Sequence, residues 1–298
     1  MEQPYIVVTD AAADFVPGAA EQAGIEVIPM AVNMGDMSFL HYADYRNMTA
    51  DVFYRKIREG AMPSTSQITP QDYLDFFTPV LARGQDILYI AFSSGMSGTY
   101  NSCRIALAEL ADDFPDRRIC AIDSLGATGG EGLFALAAAE NRAQGMSLEA
   151  NADWCRENCL TFAYYWTVND LMYLKKGGRV KAASAYFGTA LNLKPVGNID
   201  AEGHLPALYR VRGRQASFRK MAECFAENIV EPETQSVLIC HSDCPEDAEQ
   251  LKEVILKSGV TVREIRTASV GPVVGAHLGP GAVTLFYRAK KRNSAGNS

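Results

Sequence analysis

No apolar run in this 298-residue chain approaches the roughly 20 residues that a membrane-spanning helix needs, so stable membrane insertion is not expected. The start, Met1-Glu2-Gln3-Pro4, lacks the basic residues and apolar core of a secretory leader. Positive charge is scarce. Lys and Arg number 28 against 35 Asp and Glu, a net charge of −7, which argues against nucleic acid as a partner because such a footprint shows a basic face. The seven cysteines are an odd count without the spacing of a disulfide scaffold. They read as reduced thiols, and with the missing leader they suggest a cytoplasmic protein. Histidine is scarcer still, so a Ser/His pairing must draw on His41, His204, His241 or His277. Cys155 with Cys159, and Cys240-His241 with Cys244, have C-x3-C spacing, but the first pair falls on an expected helix and both read better as thiols than as zinc ligands. Asp10, Asp14 and Asp123 end strands and read as caps rather than magnesium ligands. No metal and no cofactor is expected.

What the chain does have is apolar mass. Hydrophobic residues make up 48% and charged residues 21%, the balance of a globular protein with room for two domains. One stretch organises it. Ile87 to Phe92 is an apolar strand that ends in Ser93-Ser94-Gly95-Met96-Ser97-Gly98-Thr99, and apolar positions Cys103, Leu107 and Leu110 then recur at helical spacing. A helix N-terminus exposes unpaired N–H groups and the positive end of the dipole, a site for an anion. The turn is not the G-x-S-x-G nucleophile elbow, and no lysine follows to reach a phosphate. Strand, turn and helix together favour anion binding over catalysis. Thr65-Ser66-Gln67 is a second hydroxyl cluster, and His277 stands among small residues that let a ligand approach.

Along the chain the first half alternates strand and helix. Strands are expected at 5–9, 25–32, 87–92 and 118–122, and helices at 14–24, from Thr49, from Pro70, and at 127–143 and 148–160. Residues 33–47 read as a hairpin or meander and 63–67 as a hydroxyl-rich turn. Alternation implies a parallel sheet with helices on both faces, whose strand ends carry the ligand. The second half mixes hairpins and helices: strands at 162–168, on either side of Asp200-Ala201-Glu202-Gly203, at 236–241, 260–265 and 282–287, and helices at 169–176, 182–191, 215–229 and 245–257. Residues 271–281 read as a glycine-rich approach to the last strand. The fold class is therefore α/β with two domains, an N-terminal parallel-sheet α/β domain (1–160) and a C-terminal α+β domain (161–289), followed by a frayed tail (290–298). Lys175 to Lys181 and Arg210 to Arg214 are basic clusters, solvated faces by default and docking surfaces at their sharpest.

Several phrases carry a family resemblance: Ser64-Thr65-Ser66-Gln67; Ser93 to Tyr100; Asp123-Ser124 with Gly129, Gly130 and Gly132; Asp170 to Arg179 on through Leu191 to Pro195; Val211-Arg212-Gly213-Arg214; and, more loosely, Gly271-Pro272 to His277. With them the chain resembles the DegV family of bacterial fatty-acid-binding proteins, the binding subunits of a fatty acid kinase system, nearly end to end. Ala11-Ala12-Ala13 stands where the family has hydroxyls. The resemblance implies an acyl chain buried between the two domains, its carboxylate held by Thr65, Ser66, Ser93, Ser94 and Gly95 with His277 nearby. It implies no catalysis by this chain. A separate ATP-dependent kinase would form the acyl phosphate, docking at Arg212 and Arg214. The alternative from the residues alone is a serine esterase using Ser93 or Ser94 with His277. Energetics suit a carrier: about fifteen buried methylenes contribute on the order of 12 kcal/mol before ordering costs, so the tail supplies affinity. The head then needs only donors enough to offset desolvation of one carboxylate, about 1.5–3 kcal/mol per charged hydrogen bond.

Overall fold

The structure, a computed structural model, describes residues 4–179 and 192–292. The chain runs β1 (Tyr5–Asp10), α1 (Ala19–Gln22), β2 (Ile25–Ile28), β3 (Met30–Met34), β4 (Met37–His41), α2 (Ala50–Arg58), β5 (Pro63–Thr65), α3 (Pro70–Ala82), β6 (Asp86–Ala91), α4 (Thr99–Asp113), β7 (Ile119–Asp123), α5 (Thr128–Ala143) and α6 (Leu148–Asn158). It continues through β8 (Phe162–Thr167), α7 (Met172–Gly177), β9 (Leu193–Asn198), β10 (Ala207–Arg212), α8 (Arg214–Asn228), β11 (Ser236–His241), α9 (Pro245–Leu256), β12 (Glu264–Ser269), α10 (Pro272–Leu278) and β13 (Val283–Arg288).

Three sheets result. A parallel sheet of order β2-β1-β6-β7 occupies the first half, and Thr9↔Ile90 and Ala91↔Asp123 align, so the ends of β1, β6 and β7 share one rim as the alternation predicts. A small antiparallel sheet, β4-β3-β5, stands beside it. The six-stranded sheet, β10-β9-β8-β13-β11-β12, is antiparallel except where β11 runs parallel to β12. Helix α5 lies between the large sheets and touches both β1 and β13, which its small first turn, Gly129-Gly130, permits. Strand alternation sorts the six-stranded sheet: Phe162, Tyr164 and Trp166 face α5, while Ala163 packs with Phe218 and Phe225 of α8.

The structure corrects the sequence reading at several places. The helix expected from Asp14 begins only at Ala19, because Asp14 turns inward and Pro17-Gly18 delays it, with Gly18 at φ 80°. The strand expected over 25–32 breaks at Pro29 into two strands in different sheets, since proline offers no N–H to the ladder. Residues 63–65 are a strand paired with β3 rather than a turn. The strand expected at 260–265 sits at 264–269, against β11. The glycine-rich approach contains helix α10, started by Pro272 at its first position. Its Val273 and Ala276 pack with Phe53 and Tyr54 of α2, so this piece of the second half is seated on the first. The helix expected at 182–191 lies outside the described residues, as do 293–298 of the expected tail. Residues 290–292 are tied down: the buried Arg292 donates to the carbonyls of Ser124, Leu125, Cys159 and Asp200. No helix among the described residues is long and apolar enough to cross a membrane.

Candidate functional site

A cavity of about 250 Å3 opens between α10, the rim of the parallel sheet and the six-stranded sheet. Trp166, Ile199, Leu205, Phe286, Val273 and Leu278 supply its apolar wall. One corner gathers Thr65 at the end of β5, Gln67 just after it, Ser97 and Gly98 before α4, Arg179, and His277 on α10, while Thr128 of α5 and Thr284 of β13 also line the cavity.

Strand β5 and helix α10 bring two of the expected residues together. Thr65 Oγ1 and His277 Nε2 are 2.7 Å apart, although 212 residues separate them in sequence. Burial, with the Arg179 charge adding to it, lowers the His277 value to about 4, so its imidazole is neutral at physiological pH. A neutral ring carries one N–H. With that proton on Nε2 it donates to Thr65 Oγ1, and the threonine hydroxyl is left to donate into the cavity. Gly177 backs the ring; a methyl in place of its hydrogen would lie 2.6 Å from His277 Nδ1, so only glycine fits there. Nδ1 itself is buried, without a hydrogen-bond partner among the described residues. Arg179 reaches the same corner. Its guanidinium bonds the carbonyls of Met96 and Gly177, and among the described residues it meets no carboxylate. The corner thus offers a hydroxyl donor, a cation and a helix start to an anion.

The other expected residues fall elsewhere. Ser66 lines the cavity, and its hydroxyl accepts from Asn33. Ser93 is fully buried, and its hydroxyl donates to Gly203 O at 2.9 Å and accepts from Gly95 N. Ser94 is exposed and its N–H goes to Asp123. Among the described residues that line the cavity, Ser93, Ser94 and Gly95 do not appear; the later part of the same turn, Ser97-Gly98, does. The start of the turn closes onto the 200–203 hairpin, and its end faces the cavity. Arg214 pairs with Asp247 at 2.8 Å, donates to Gly281 O and lies over the Phe218 ring, so it braces α8 against α9. Arg212 is exposed on β10. His41 is buried, and His241 accepts from Cys244 N. All seven cysteines are free, and among the described residues no group of three or more His, Cys, Asp or Glu could hold a metal ion.

Sequence reasoning missed Arg179 and Gln67 as cavity residues. Both lie inside quoted phrases, Lys-Lys-Gly-Gly-Arg179 and Thr-Ser-Gln67. Gln67 binds Ser102 across to α4, at 3.0 Å, and so joins the two hydroxyl clusters that the sequence shows only separately.

Comparison with known proteins shows the family and the fold. The model of a family described as "Uncharacterised protein, DegV family" matches residues 5–290. A DegV domain-containing protein of Clostridium perfringens is 35% identical, over 95% of this chain and 97% of its own length. Among solved structures, a DegV family protein from Thermus thermophilus described by its fatty acid binding superposes with a TM-score of 0.85, at 29% identity, covering 97% of this chain and 100% of that one. DegV from Bacillus subtilis, described as a fatty acid binding protein, superposes at 0.82 with 26% identity, over 97% of this chain and 100% of its own.

Proposed function

The chain belongs to the DegV family, and from that premise we propose that it binds a long-chain fatty acid, tail along the apolar wall and carboxylate at the Thr65–His277 corner. The observation that carries this is the Thr65–His277 contact at a polar corner of a largely apolar cavity. Neutral His277 holds the threonine oxygen, the threonine proton turns to the carboxylate, and Arg179 offsets its charge. A charged hydrogen bond of this kind contributes about 1.5–3 kcal/mol, enough to orient the head while the tail supplies affinity. Ser66, Ser97 and the N–H groups opening α4 line the same approach. The protein acts as a carrier without catalysing. It presents the carboxylate to a separate cytoplasmic ATP-dependent kinase, with Arg212 on the docking face. The division at residue 160 belongs to this proposal, the acyl chain lying where the two units meet. Ser93 and His277 share no hydrogen bond among the described residues, and the Ser93 hydroxyl is already engaged, which speaks against the esterase reading.

Native mass spectrometry of the protein from a bacterial host tests the proposal. The expected result is an acyl-mass adduct that delipidation removes and palmitate restores. An empty protein that ignores palmitate overturns it, and hydrolysis of an acyl ester lost in Ser93→Ala would revive the esterase.

A further inference from the structure

The Ala11-Ala12-Ala13 run folds tightly after β1, with Ala12 N donating to Asp10 Oδ1 and Ala13 N to Asp10 O. The next residue, Asp14, therefore turns into the protein and is 3% exposed. Each of its oxygens takes one bond. Oδ1 accepts from Gly271 N at 2.7 Å, and Gly271 is the residue that caps the start of α10. Oδ2 accepts from Thr128 Oγ1 at 2.5 Å, and Thr128 is the first residue of α5. Both helices line the cavity, α5 through Thr128 and α10 through Val273, His277 and Leu278.

Thr128 sits at φ 50°, the left-handed region that a β-branched residue seldom enters. Such a conformation persists only where surroundings impose it. Here Thr128 N donates to Ala12 O at 2.8 Å while its hydroxyl is held by Asp14. The segment before α10 is gripped as firmly. Tyr54 OH donates to Val270 O at 2.8 Å and Tyr45 OH to Ser269 O at 3.4 Å. A methyl on Gly271 would lie 2.7 Å from Asp14 Oδ1 and 2.8 Å from His41 Nε2, so the carboxylate, the imidazole and the helix start converge at one point.

We propose that Asp14 is the positioning residue of the head corner: one carboxylate, bonded at once to the start of α5 and the start of α10, fixes where Thr128 and His277 stand in the cavity. This rests on reading the cavity as the acyl site. Asp14 touches no ligand; it acts through the two helices. Burial pushes its carboxyl up to about 7, against the two hydrogen bonds that favour the charged form, so the group is held in a dry place that disfavours it. Asparagine can reproduce the pattern, accepting from Gly271 N and donating to Thr128 Oγ1. Alanine cannot.

The test reads the His277 ring by NMR in the ligand-free protein, with palmitate affinity measured alongside. In Asp14→Ala the His277 titration moves up from about 4 toward the free histidine value and palmitate binds about tenfold more weakly, while Asp14→Asn restores both. Val237→Ala, a cavity mutation in the separate core under α8 and α9, controls for lost stability and leaves the His277 titration unmoved. Thr128→Val, which removes only one of the two bonds, gives a smaller shift in the same direction and serves if Asp14→Ala does not fold. An unchanged His277 titration in Asp14→Ala or Thr128→Val, or an equal shift in Val237→Ala, overturns the proposal. Wild-type protein that binds no palmitate sinks the acyl reading, whereas the ring titration still decides the role of Asp14.

Discussion

Two hydroxyl corners invite comparison, the turn at Ser93 and the strand end at Thr65. Both present serine or threonine beside a helix start, and both match phrases of the family. They differ in where their polar atoms go. The Ser93 hydroxyl is spent on Gly203 O and Gly95 N, and its residue is fully buried. Among the described residues the Thr65 hydroxyl bonds only the ring of His277, at the edge of a cavity, with Arg179 close by. A hydroxyl satisfied by backbone on both sides joins two segments. A hydroxyl that accepts from the Nε2–H of one neutral imidazole keeps its own proton for something else. The same residue type is thus mortar in one corner and recognition in the other, and the surrounding accounting of donors and acceptors decides which.

The corners should part most widely with pH, since only one holds a titrating group. His277 is lowered from 6.5 to about 4, so the folded protein carries fewer protons than the unfolded chain between those values. Stability from this residue is present above about pH 6.5 and is lost as pH falls toward 4, by about 1.4 kcal/mol per pH unit at most, or about 3 kcal/mol in all. His41 acts in the same sense. The buried carboxyls of Asp10, Asp14 and Glu131 are raised and act in the opposite sense, so the difference between variant and parent is the quantity to read. Denaturant unfolding from pH 4 to 7 should show His277→Gln gaining on the parent as pH falls, while Ser93→Ala runs parallel to it. Parallel curves for His277→Gln would mean that the ring is not desolvated.

Exchange of roles is the next contrast. Thr65→Val removes the hydroxyl and keeps the shape, so palmitate affinity should fall about tenfold to a hundredfold, the worth of one charged hydrogen bond, with about 1 kcal/mol of stability lost because His277 Nε2 is left without its partner. Ser93→Ala leaves Gly203 O and Gly95 N without their partner and should cost about 1–3 kcal/mol of stability with palmitate affinity intact. Isothermal titration and urea unfolding on the two variants separate the cases. Loss of affinity in Ser93→Ala alone would put the head back in the turn.

Much of this was legible in the sequence because it is written in local pattern. Ile87 to Ala91 is apolar without a break, and Pro70 and Pro245 each open a helix as expected. Thr69 closes a reciprocal pair with Asp72 at the start of α3, a signal carried within four residues. What the sequence hid depends on distance. Nothing local to Thr65 announces His277, and nothing local to Asp14 announces Gly271, 257 residues away. Helix α10 was obscured by Gly275 and Gly271, which signal a loop, although both are small because Tyr54 and Asp14 crowd them. Asp14 read as a cap because capping and crossing use the same carboxylate. Only the partner distinguishes them.

The smallest contrast lies in the two arginines that a single phrase, Val-Arg-Gly-Arg, presents as equals. Arg214 is mostly buried. Its ion pair with Asp247, its bond to Gly281 O and its stacking on Phe218 tie α8 to α9 and to the turn before β13. Arg214→Ala should therefore lose about 1–2 kcal/mol, chiefly by leaving Asp247 and Gly281 O without their donor. Arg212 points outward from β10, and Arg212→Ala should stay within about 0.5 kcal/mol. Urea midpoints of the two variants read the difference directly. If the stabilities match, the docking phrase is a solvated face throughout. If they diverge as expected, any loss of kinase-dependent acyl phosphate in Arg214→Ala reports damage to the fold. Only Arg212→Ala, whose fold is left alone, can then report on a docking surface.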